Sequence, residues 1–380
     1  MLLDDIEENF LMENKAEKLF GLGQSVWYDN IRRGLLDNGE LAGMIKRGEI
    51  YGVTSNPSIF MKAITKSTDY DESLEKLSDT KMDAEAVFFE LAIEDIQVAA
   101  DLFKLLYHET HGGDGYVSLE VSPYLADQTA ETVQQAKEIW HRVNRPNLMV
   151  KIPATRAGLP AIEEAIFAGV NVNVTLIFSL QRYQEVMEAY IRGHERRIEA
   201  GLSVDSIASV ASFFVSRIDT NVDNRLQIIA DAGGENAEEA QSLMGKAAVA
   251  SAKLAYTQFK SVFESDRFNG LAKKGANIQR PLWASTSTKN PDYRDVIYVE
   301  ELIGPNTVNT IPPHTLKAFL DHGIVEKTLE TDVQAAQEVF NRLEAIEVSM
   351  ENVTAELLEQ GVKSFADSFT ELLESIDSQR

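Results

Sequence analysis

The chain has 380 residues, of which 60 are acidic and 36 basic, so its formal net charge at pH 7 is −24. A surface this acidic repels nucleic acid and offers no polybasic patch to a membrane. The absence of cysteine excludes disulfides, thiolate metal sites and thiol nucleophiles. The sequence has no apolar run of about 18 residues and no secretory leader, so we expect a cytoplasmic protein that binds neither nucleic acid nor membranes.

Eight short segments are apolar or β-prone and end in polar residues, a pattern typical of buried parallel strands. In chain order, the predicted strands are 26–30, 51–56, 116–120, 148–153, 172–177, 207–213, 282–285 and 307–310. Helical periodicity is found between or after them, at 84–107, 129–142, 159–168, 180–200 and 315–320. Strands that alternate with helices imply a parallel sheet with right-handed crossovers. Polar residues at the ends of eight such strands predict the mouth of a (β/α)8 barrel.

Two intervals between predicted strands are longer than one crossover helix requires. About 60 residues separate the second strand from the third, and about 70 separate the sixth from the seventh. Both intervals predict helical insertions, the second over 221–276. Residues 1–20 and 330–380 are also helical in pattern. Because no linker or repeat interrupts the chain, we predict a single α/β domain over 1–380, a TIM barrel with helical insertions and extra N- and C-terminal helices.

Lys151 is the most informative residue, since it lies inside the apolar segment 148–153. Desolvation disfavours the charged form of an amine, and a neutral lysine can attack a carbonyl carbon and form a Schiff base. A lysine at a strand end can instead extend to water or pair with a neighbouring acid. Taken alone, this residue leaves both interpretations open.

Six motifs in order along the chain resemble those of transaldolases. The segment Gly-Val-Thr-Ser-Asn-Pro-Ser-Ile-Phe at 52–60 is similar to the N-terminal signature of that family. The segment Leu-Met-Val-Lys-Ile-Pro-Ala-Thr-Arg-Ala-Gly at 148–158 resembles its active-site signature. The other four motifs lie at 26–29, 117–121, 173–176 and 212–219. The chain length, the insertions and the segment 283–289 are most similar to the longer bacterial branch of the family.

The resemblance implies one reaction of the non-oxidative pentose phosphate pathway. A dihydroxyacetone unit moves from sedoheptulose 7-phosphate to glyceraldehyde 3-phosphate, which gives erythrose 4-phosphate and fructose 6-phosphate. The expected partners are therefore sugar phosphates. The family needs no cofactor, and the six histidines of this chain show no metal-ligand spacing, so we expect no cofactor and no metal. No oligomeric state is predicted.

Four residues match catalytic positions of the family. Lys151 would form the Schiff base, and Asp29 would take the proton from the C4 hydroxyl of the substrate. Glu120 would move protons through a water that Thr175 holds. From the residues alone, Asp29 is equally suited to cap a helix beginning near Ile31. Glu120 is also a natural buried partner for the lysine.

A second group of residues is implied to bind substrate: Thr54, Asn56, Asn173, Ser212, Arg217, Ser285 and Lys289. Asn56 and Asn173 match positions that bind the dihydroxyacetone hydroxyls, although lone asparagines are more often turn formers or strand-end caps. Ser212, Arg217 and Ser285 are the stronger candidates for phosphate. Some relatives carry an arginine soon after the serine that matches Ser285, whereas this chain offers Ser287 and then Lys289, which could be an ordinary surface lysine.

The sequence is compatible with three functions. The first is a transaldolase, and the second is a lyase resembling fructose 6-phosphate aldolases, which release free dihydroxyacetone. Those relatives are much shorter, and an aromatic hydroxyl near their site favours hydrolytic release, whereas Phe214 occupies the matching position here. The third is a non-catalytic barrel that binds sugar phosphates, which would require loss of Lys151, Asp29 or Glu120. Transfer is therefore the predicted activity. Arg217 could also play a structural role by pairing with a nearby aspartate, Asp219 or Asp223.

Overall fold

The computed structural model describes residues 13–379 and shows a closed barrel of eight parallel strands in sequential order. The pairing of β1 with β8, from Gln24 opposite Thr307 to Tyr28 opposite Ile311, closes the barrel. The predicted (β/α)8 barrel is therefore confirmed. The strands are Gln24–Tyr28 (β1), Gly52–Val53 (β2), Val117–Glu120 (β3), Leu148–Pro153 (β4), Val172–Ile177 (β5), Ser209–Phe214 (β6), Gln279–Ala284 (β7) and Thr307–Ile311 (β8).

Helices cover the outside of the barrel, and further helices precede β1 and follow β8. A short 3-10 turn, Pro123–Leu125, follows β3. None of the helices in residues 13–379 is long and apolar enough to cross a membrane. The α-helices are α1 (Lys15–Gly21), α2 (Arg33–Asp37), α3 (Glu40–Lys46), α4 (Pro57–Thr65), α5 (Asp71–Ser78), α6 (Ala84–Leu102), α7 (Lys104–Glu109), α8 (Thr129–Val143), α9 (Gly158–Ala168), α10 (Leu180–Glu199), α11 (Ser216–Ala232), α12 (Ala237–Leu243), α13 (Ala247–Phe263), α14 (Asp266–Ala272), α15 (Ile297–Glu300), α16 (Pro313–His322), α17 (Val333–Ala345) and α18 (Met350–Ser378).

Most predicted boundaries lie within three residues of those observed, and β4 and β5 span the predicted residues. The second strand is shorter than predicted, because Asn56 already caps α4 and Pro57 is the first residue of that helix. The helix predicted over 84–107 is two helices that meet at Phe103. The predicted insertion 221–276 contains most of α11 and all of α12, α13 and α14. In the N-terminal extension predicted over 1–20, α1 begins at Lys15, and residues 1–12 lie outside the described part.

The strands are buried on both faces, because helices cover their outer side and side chains fill the interior. This explains why their sequences are nearly continuous apolar runs rather than alternating ones. The Trp27 ring packs tightly against the backbone of β2, since a Cβ added to Gly52 would lie 2.8 Å from that ring. The absence of a side chain at Gly52 is therefore what lets β2 pair beside that tryptophan.

The C-terminal helix α18 crosses the barrel at the end where the strands finish. Its buried residues recur every three or four positions between Val353 and Ile376, so that one face is apolar. This face packs on α4 and α6, and also on α11, β5 and the 3-10 turn after β3. Most of these elements follow strands β2, β3 and β6, so α18 covers the part of the mouth that also contains the end of β4.

Candidate active site

A cavity of about 520 Å³ lies at the mouth of the barrel, among residues at the ends of the strands. Asp29 follows β1, Thr54 follows β2 and Ser285 follows β7, while Lys151 and Thr175 belong to β4 and β5. This is the end of a (β/α)8 barrel at which catalytic residues are found. Nine of the predicted site residues line the cavity, and the two that do not are Glu120 and Asn173.

Lys151 lies inside the barrel with only 5% of its surface exposed. Its Nζ donates a hydrogen bond of 2.7 Å to the carbonyl oxygen of Ser55. The same atom lies 3.1 Å from Oε2 of Glu120. Glu120 belongs to the neighbouring strand β3, where it is the residue paired with Lys151. The contact is an ion pair by distance, and Oε2 accepts no hydrogen bond from residues 13–379. The interpretation of Glu120 as the partner of Lys151 therefore fits the structure.

Asp29 is held at the floor of the cavity by the residue that follows β2. Its carboxylate accepts a hydrogen bond of 2.8 Å from Oγ1 of Thr54, whose oxygen also lies 2.5 Å from Oγ1 of Thr310. Burial raises the pKa of Asp29, while the positive charge of Lys151 acts in the opposite direction. Asp29 does not cap a helix, since α2 begins only at Arg33. That alternative is wrong, and the carboxylate is free to face the cavity.

Glu120 is buried beside Lys151 and does not itself line the cavity. Burial raises the pKa of Glu120, and the positive charge of Lys151 partly offsets this effect. Oγ1 of Thr175 is a second buried oxygen without a hydrogen-bond partner among residues 13–379. Unsatisfied buried oxygens are uncommon in proteins, and here two of them belong to residues that either touch Lys151 or line the same cavity.

Asn173 lies beneath the cavity floor in a hydrogen-bonded row across three strands. Its Nδ2 donates to Oγ of Ser118 at 3.1 Å, and its Oδ1 accepts from Oγ of Ser212 at 2.7 Å. Ser212 itself lines the cavity. Asn56 both lines the cavity and caps α4 by accepting from the backbone N–H of Ile59 at 2.9 Å. The structure thus brings Asn56 to the cavity surface, whereas both ends of Asn173 are occupied by serines.

The phosphate candidates lie together on one side of the cavity. Arg217 lies in the first turn of α11, with its guanidinium carbon 5.4 Å from the centre of the Phe214 ring. Within residues 13–379 it has no hydrogen bond or ion pair, and burial lowers its pKa. The alternative pairing with Asp219 or Asp223 is wrong. Those carboxylates accept hydrogen bonds from two backbone N–H groups and two tyrosines.

Ser285 and Lys289 lie next to that arginine. Oγ of Ser285 is 3.0 Å from Oγ of Ser216, and Ser285 adopts a left-handed backbone conformation with φ of 55°. Lys289 is exposed at the rim, where its Nζ donates to Oγ of Ser287 at 2.7 Å. Burial and the nearby charge of Arg217 lower the pKa of Lys289. Lys289 is therefore an exposed lysine that also lines the cavity, close to the charge of Arg217.

The cavity is strongly cationic although the chain as a whole is acidic. Among residues 13–379, Asp29 is the single acid that lines it. The sequence did not single out three of the bases, Arg32, Lys62 and Lys66, because nothing in their local pattern distinguishes them from surface residues. Among residues 13–379, no group of three histidines, cysteines or acids is arranged to hold a metal ion. The basic lining residues are Arg32, Lys62, Lys66, Lys151, Arg217 and Lys289.

Comparison with known proteins agrees with the motifs. Residues 26–376 match the family described as transaldolase/fructose-6-phosphate aldolase. A transaldolase of Mycobacterium ulcerans is 46% identical over 363 residues, which cover 95% of this chain and 96% of the relative. A transaldolase of Mycolicibacterium smegmatis is 47% identical, over 95% of this chain and 96% of the relative. One of Mycobacterium tuberculosis is 47% identical over 94% of each chain. The chain therefore belongs to the transaldolase/fructose-6-phosphate aldolase family, as its motifs predicted.

Proposed function

We propose that this enzyme transfers a dihydroxyacetone unit from sedoheptulose 7-phosphate to glyceraldehyde 3-phosphate through a Schiff base on Lys151. The observation that carries the proposal is a buried amine, 3.1 Å from a carboxylate oxygen, at the base of a cationic cavity. An amine in that setting can act as a nucleophile toward a ketone. The cations around it match substrates that carry phosphate.

The first step requires a neutral amine, and Glu120 is the group placed to accept its proton. Because burial raises the pKa of Glu120, the protonated acid is accessible. It can return the proton to the hydroxyl of the carbinolamine, which leaves as water when the imine forms. We assign the relay water to the space between Glu120 and Thr175, since both carry a buried oxygen without a partner among the described residues.

Cleavage requires a base at the C4 hydroxyl, and Asp29 supports that role by its position in the cavity floor. Loss of the hydroxyl proton breaks the C3–C4 bond, and the electron pair moves into the iminium to form an enamine. Erythrose 4-phosphate then leaves. The enamine carbon attacks the aldehyde carbon of glyceraldehyde 3-phosphate, and the proton from Asp29 goes to the new hydroxyl. Because burial raises the pKa of Asp29, it can hold that proton between the two half-reactions. Hydrolysis of the new imine releases fructose 6-phosphate.

The phosphate is expected on the side of the cavity formed by Arg217, Ser285 and Lys289. Arg217 supports this assignment because its guanidinium has no partner within the described residues and can offer two parallel donors to phosphate oxygens. In the same proposal, Asn56, Thr54 and Ser212 face the dihydroxyacetone hydroxyls, while Asn173 holds Ser212 in place.

A lyase that releases dihydroxyacetone is the alternative. Phe214 argues against it, since this side chain has no hydroxyl. Its ring centre lies 5.1 Å from that of Phe178, and the guanidinium of Arg217 lies over the same ring. Neither of these two rings carries a hydroxyl that could protonate the enamine.

A coupled assay tests the proposed function. Sedoheptulose 7-phosphate and glyceraldehyde 3-phosphate are supplied together, and fructose 6-phosphate is followed through phosphoglucose isomerase and glucose 6-phosphate dehydrogenase. We expect one erythrose 4-phosphate for each fructose 6-phosphate, and no product when either substrate is omitted. Failure to form fructose 6-phosphate with folded enzyme would refute the proposal. Release of dihydroxyacetone from fructose 6-phosphate alone, at the rate of transfer, would favour the lyase.

A further inference from the structure

The C-terminal helix α18 places one aromatic side chain directly beside the reactive amine. The ring centre of Phe365 lies 5.9 Å from Nζ of Lys151, and Phe365 lines the active-site cavity. Phe365 itself is only 4% exposed. Its neighbours along the chain, Ser364 and Ala366, do not line the cavity. A single residue of α18 therefore forms the apolar cover above the amine.

The helix is fastened on both sides of Phe365, so the ring is held in place. On one side, Gly361 meets the end of β5, where an added Cβ would lie 3.0 Å from the side chain of Leu176. On the other side, Oγ of Ser368 lies 2.7 Å from Oγ of Ser58, at the start of α4. The ring of Phe369 packs edge-on at 5.3 Å against Phe88 of α6. These contacts join α18 to elements that follow β2 and to β5.

An enamine intermediate is at risk from water at this location. Protonation of its nucleophilic carbon by a proton from solvent gives an iminium. Addition of water to the iminium carbon and collapse of the carbinolamine then release dihydroxyacetone and leave Lys151 as an ammonium. This route competes with attack on the acceptor aldehyde, and it needs access of both a proton and water to the bound three-carbon unit. An apolar ring over the amine restricts that access.

We propose that Phe365 is a positioning and specificity-determining residue, which shields the enamine on Lys151 from water and so favours transfer over hydrolysis. The inference rests on the proposed function, since it concerns the fate of the same intermediate. Phe365 carries no proton and forms no bond to the substrate. Its contribution is the exclusion of solvent, and its effect is therefore on the ratio of two products rather than on the formation of the imine.

The test compares two products of the same intermediate in wild-type enzyme, Phe365→Ala and Phe365→Leu. Fructose 6-phosphate is the donor and erythrose 4-phosphate the acceptor. Free dihydroxyacetone is measured with glycerol dehydrogenase, and sedoheptulose 7-phosphate is measured as the transfer product. We expect the ratio of hydrolysis to transfer to rise roughly tenfold in Phe365→Ala, with a smaller rise in Phe365→Leu. This ratio does not depend on the fraction of active enzyme.

Leu372→Ala is the matched control, because Leu372 is fully buried on the same face of α18 but does not line the cavity. Its ratio should stay at the wild-type value. An unchanged ratio in Phe365→Ala, or an equal rise in Leu372→Ala, would overturn the assignment to Phe365. If Phe365→Ala does not fold, Phe365→Leu decides by the same criterion. Absence of transfer in the wild-type enzyme would instead refute the proposed function, so the two failures are distinguishable.

Discussion

Glu120 and Lys151 occupy directly paired positions on strands β3 and β4, and their side chains meet inside the barrel with 3.1 Å between Oε2 and Nζ. Both side chains are 6% exposed, so this ion pair has little access to bulk water. A buried ion pair of this kind is weak evidence for stability, because desolvation offsets the attraction. Its position beside the cationic cavity, which Lys151 lines, supports the proton-transfer role proposed for Glu120.

The first prediction concerns the nucleophile. Borohydride added together with fructose 6-phosphate should reduce the imine and leave a dihydroxyacetone-derived adduct on Lys151, as identified by peptide mass. Lys151→Arg should form no adduct and show no transfer, since a guanidinium stays protonated and cannot attack a ketone. Lys289→Arg is the control, because that lysine also lines the cavity and its substitution should leave the adduct in place. Labelling at any other lysine of an active preparation would disprove the assignment.

A second prediction separates the two carboxylates by the step that each serves. Asp29→Ala should still form the borohydride-trapped adduct with a ketose phosphate but release no aldehyde product, because only the base for C–C cleavage is missing. Glu120→Ala should instead slow adduct formation, because the lysine loses its proton acceptor. Rapid-quench measurement of adduct and aldehyde in each variant distinguishes the steps. If both variants were blocked at the same step, the division of roles would be abandoned.

Arg217 is predicted to bind phosphate. Charge-assisted hydrogen bonds of this sort contribute about 1.5–3 kcal/mol each, which corresponds to roughly one to two orders of magnitude in binding. Arg217→Ala should therefore lower kcat/KM for glyceraldehyde 3-phosphate by about that factor, while unphosphorylated glyceraldehyde loses much less. Equal losses with both acceptors would indicate a structural role. Since Asp219 and Asp223 bind other groups, such a role would have to act through the Phe214 ring.

Lys62 is predicted to attract the phosphorylated substrate through its charge. It lies on α4 at the cavity, and it is close enough to contribute to the lowered pKa of Lys289. Because Lys62 is exposed, screening limits its effect, and Lys62→Gln should raise KM by only about two- to fivefold at low salt. The effect should vanish at high ionic strength. Lys76→Gln removes an exposed lysine that pairs with Glu72 outside the cavity, and its KM should match the wild type at every salt concentration.

The fold could be predicted from the sequence where local pattern decides it. β4 and β5 span the predicted residues because each is a largely apolar segment, and β4 ends at Pro153. β2 is shorter than predicted because Asn56 caps a helix instead of pairing in the sheet, and that helix begins at Pro57. Motifs likewise predicted that Asp29, Lys151 and Arg217 lie together, and all three line the cavity.

The position of α18 beside the cavity could not be predicted from local sequence pattern. The spacing of apolar residues from Val353 to Ile376 indicates a helix with one buried face, but it does not indicate which surface receives that face. The contact between Phe365 and Lys151 joins positions far apart in the chain and depends on how α4, α6 and β5 are already arranged. The same holds for Lys62, whose approach to Lys289 follows from the direction of α4.

The last prediction concerns a buried histidine and the pH dependence of stability. His194 of α10 is fully buried, packs edge-on at 4.5 Å against the ring of Tyr190, and has no hydrogen-bond partner within residues 13–379 for either ring nitrogen. Burial lowers the pKa of His194 from 6.5 to about 4. In the unfolded chain the ring takes up a proton below pH 6.5, whereas the folded protein resists this until about pH 4. The stability linked to the neutral form of His194 is therefore fully present above pH 6.5, and it is lost as the pH falls toward 4.

Between pH 7 and pH 5, this linkage should lower the free energy of unfolding by about 2 kcal/mol. His194→Met retains an apolar side chain of similar size and has no ring to protonate, so its loss over the same interval should be smaller by that amount. Urea denaturation at each pH measures the free energy of unfolding of both proteins. Subtracting one from the other removes the contribution of the acidic residues, which titrate in both. His141→Met, at an exposed position of α8, is the control and should follow the wild-type curve. Parallel curves for wild type and His194→Met would show that His194 is already charged in the folded protein, through a conformation that exposes its ring.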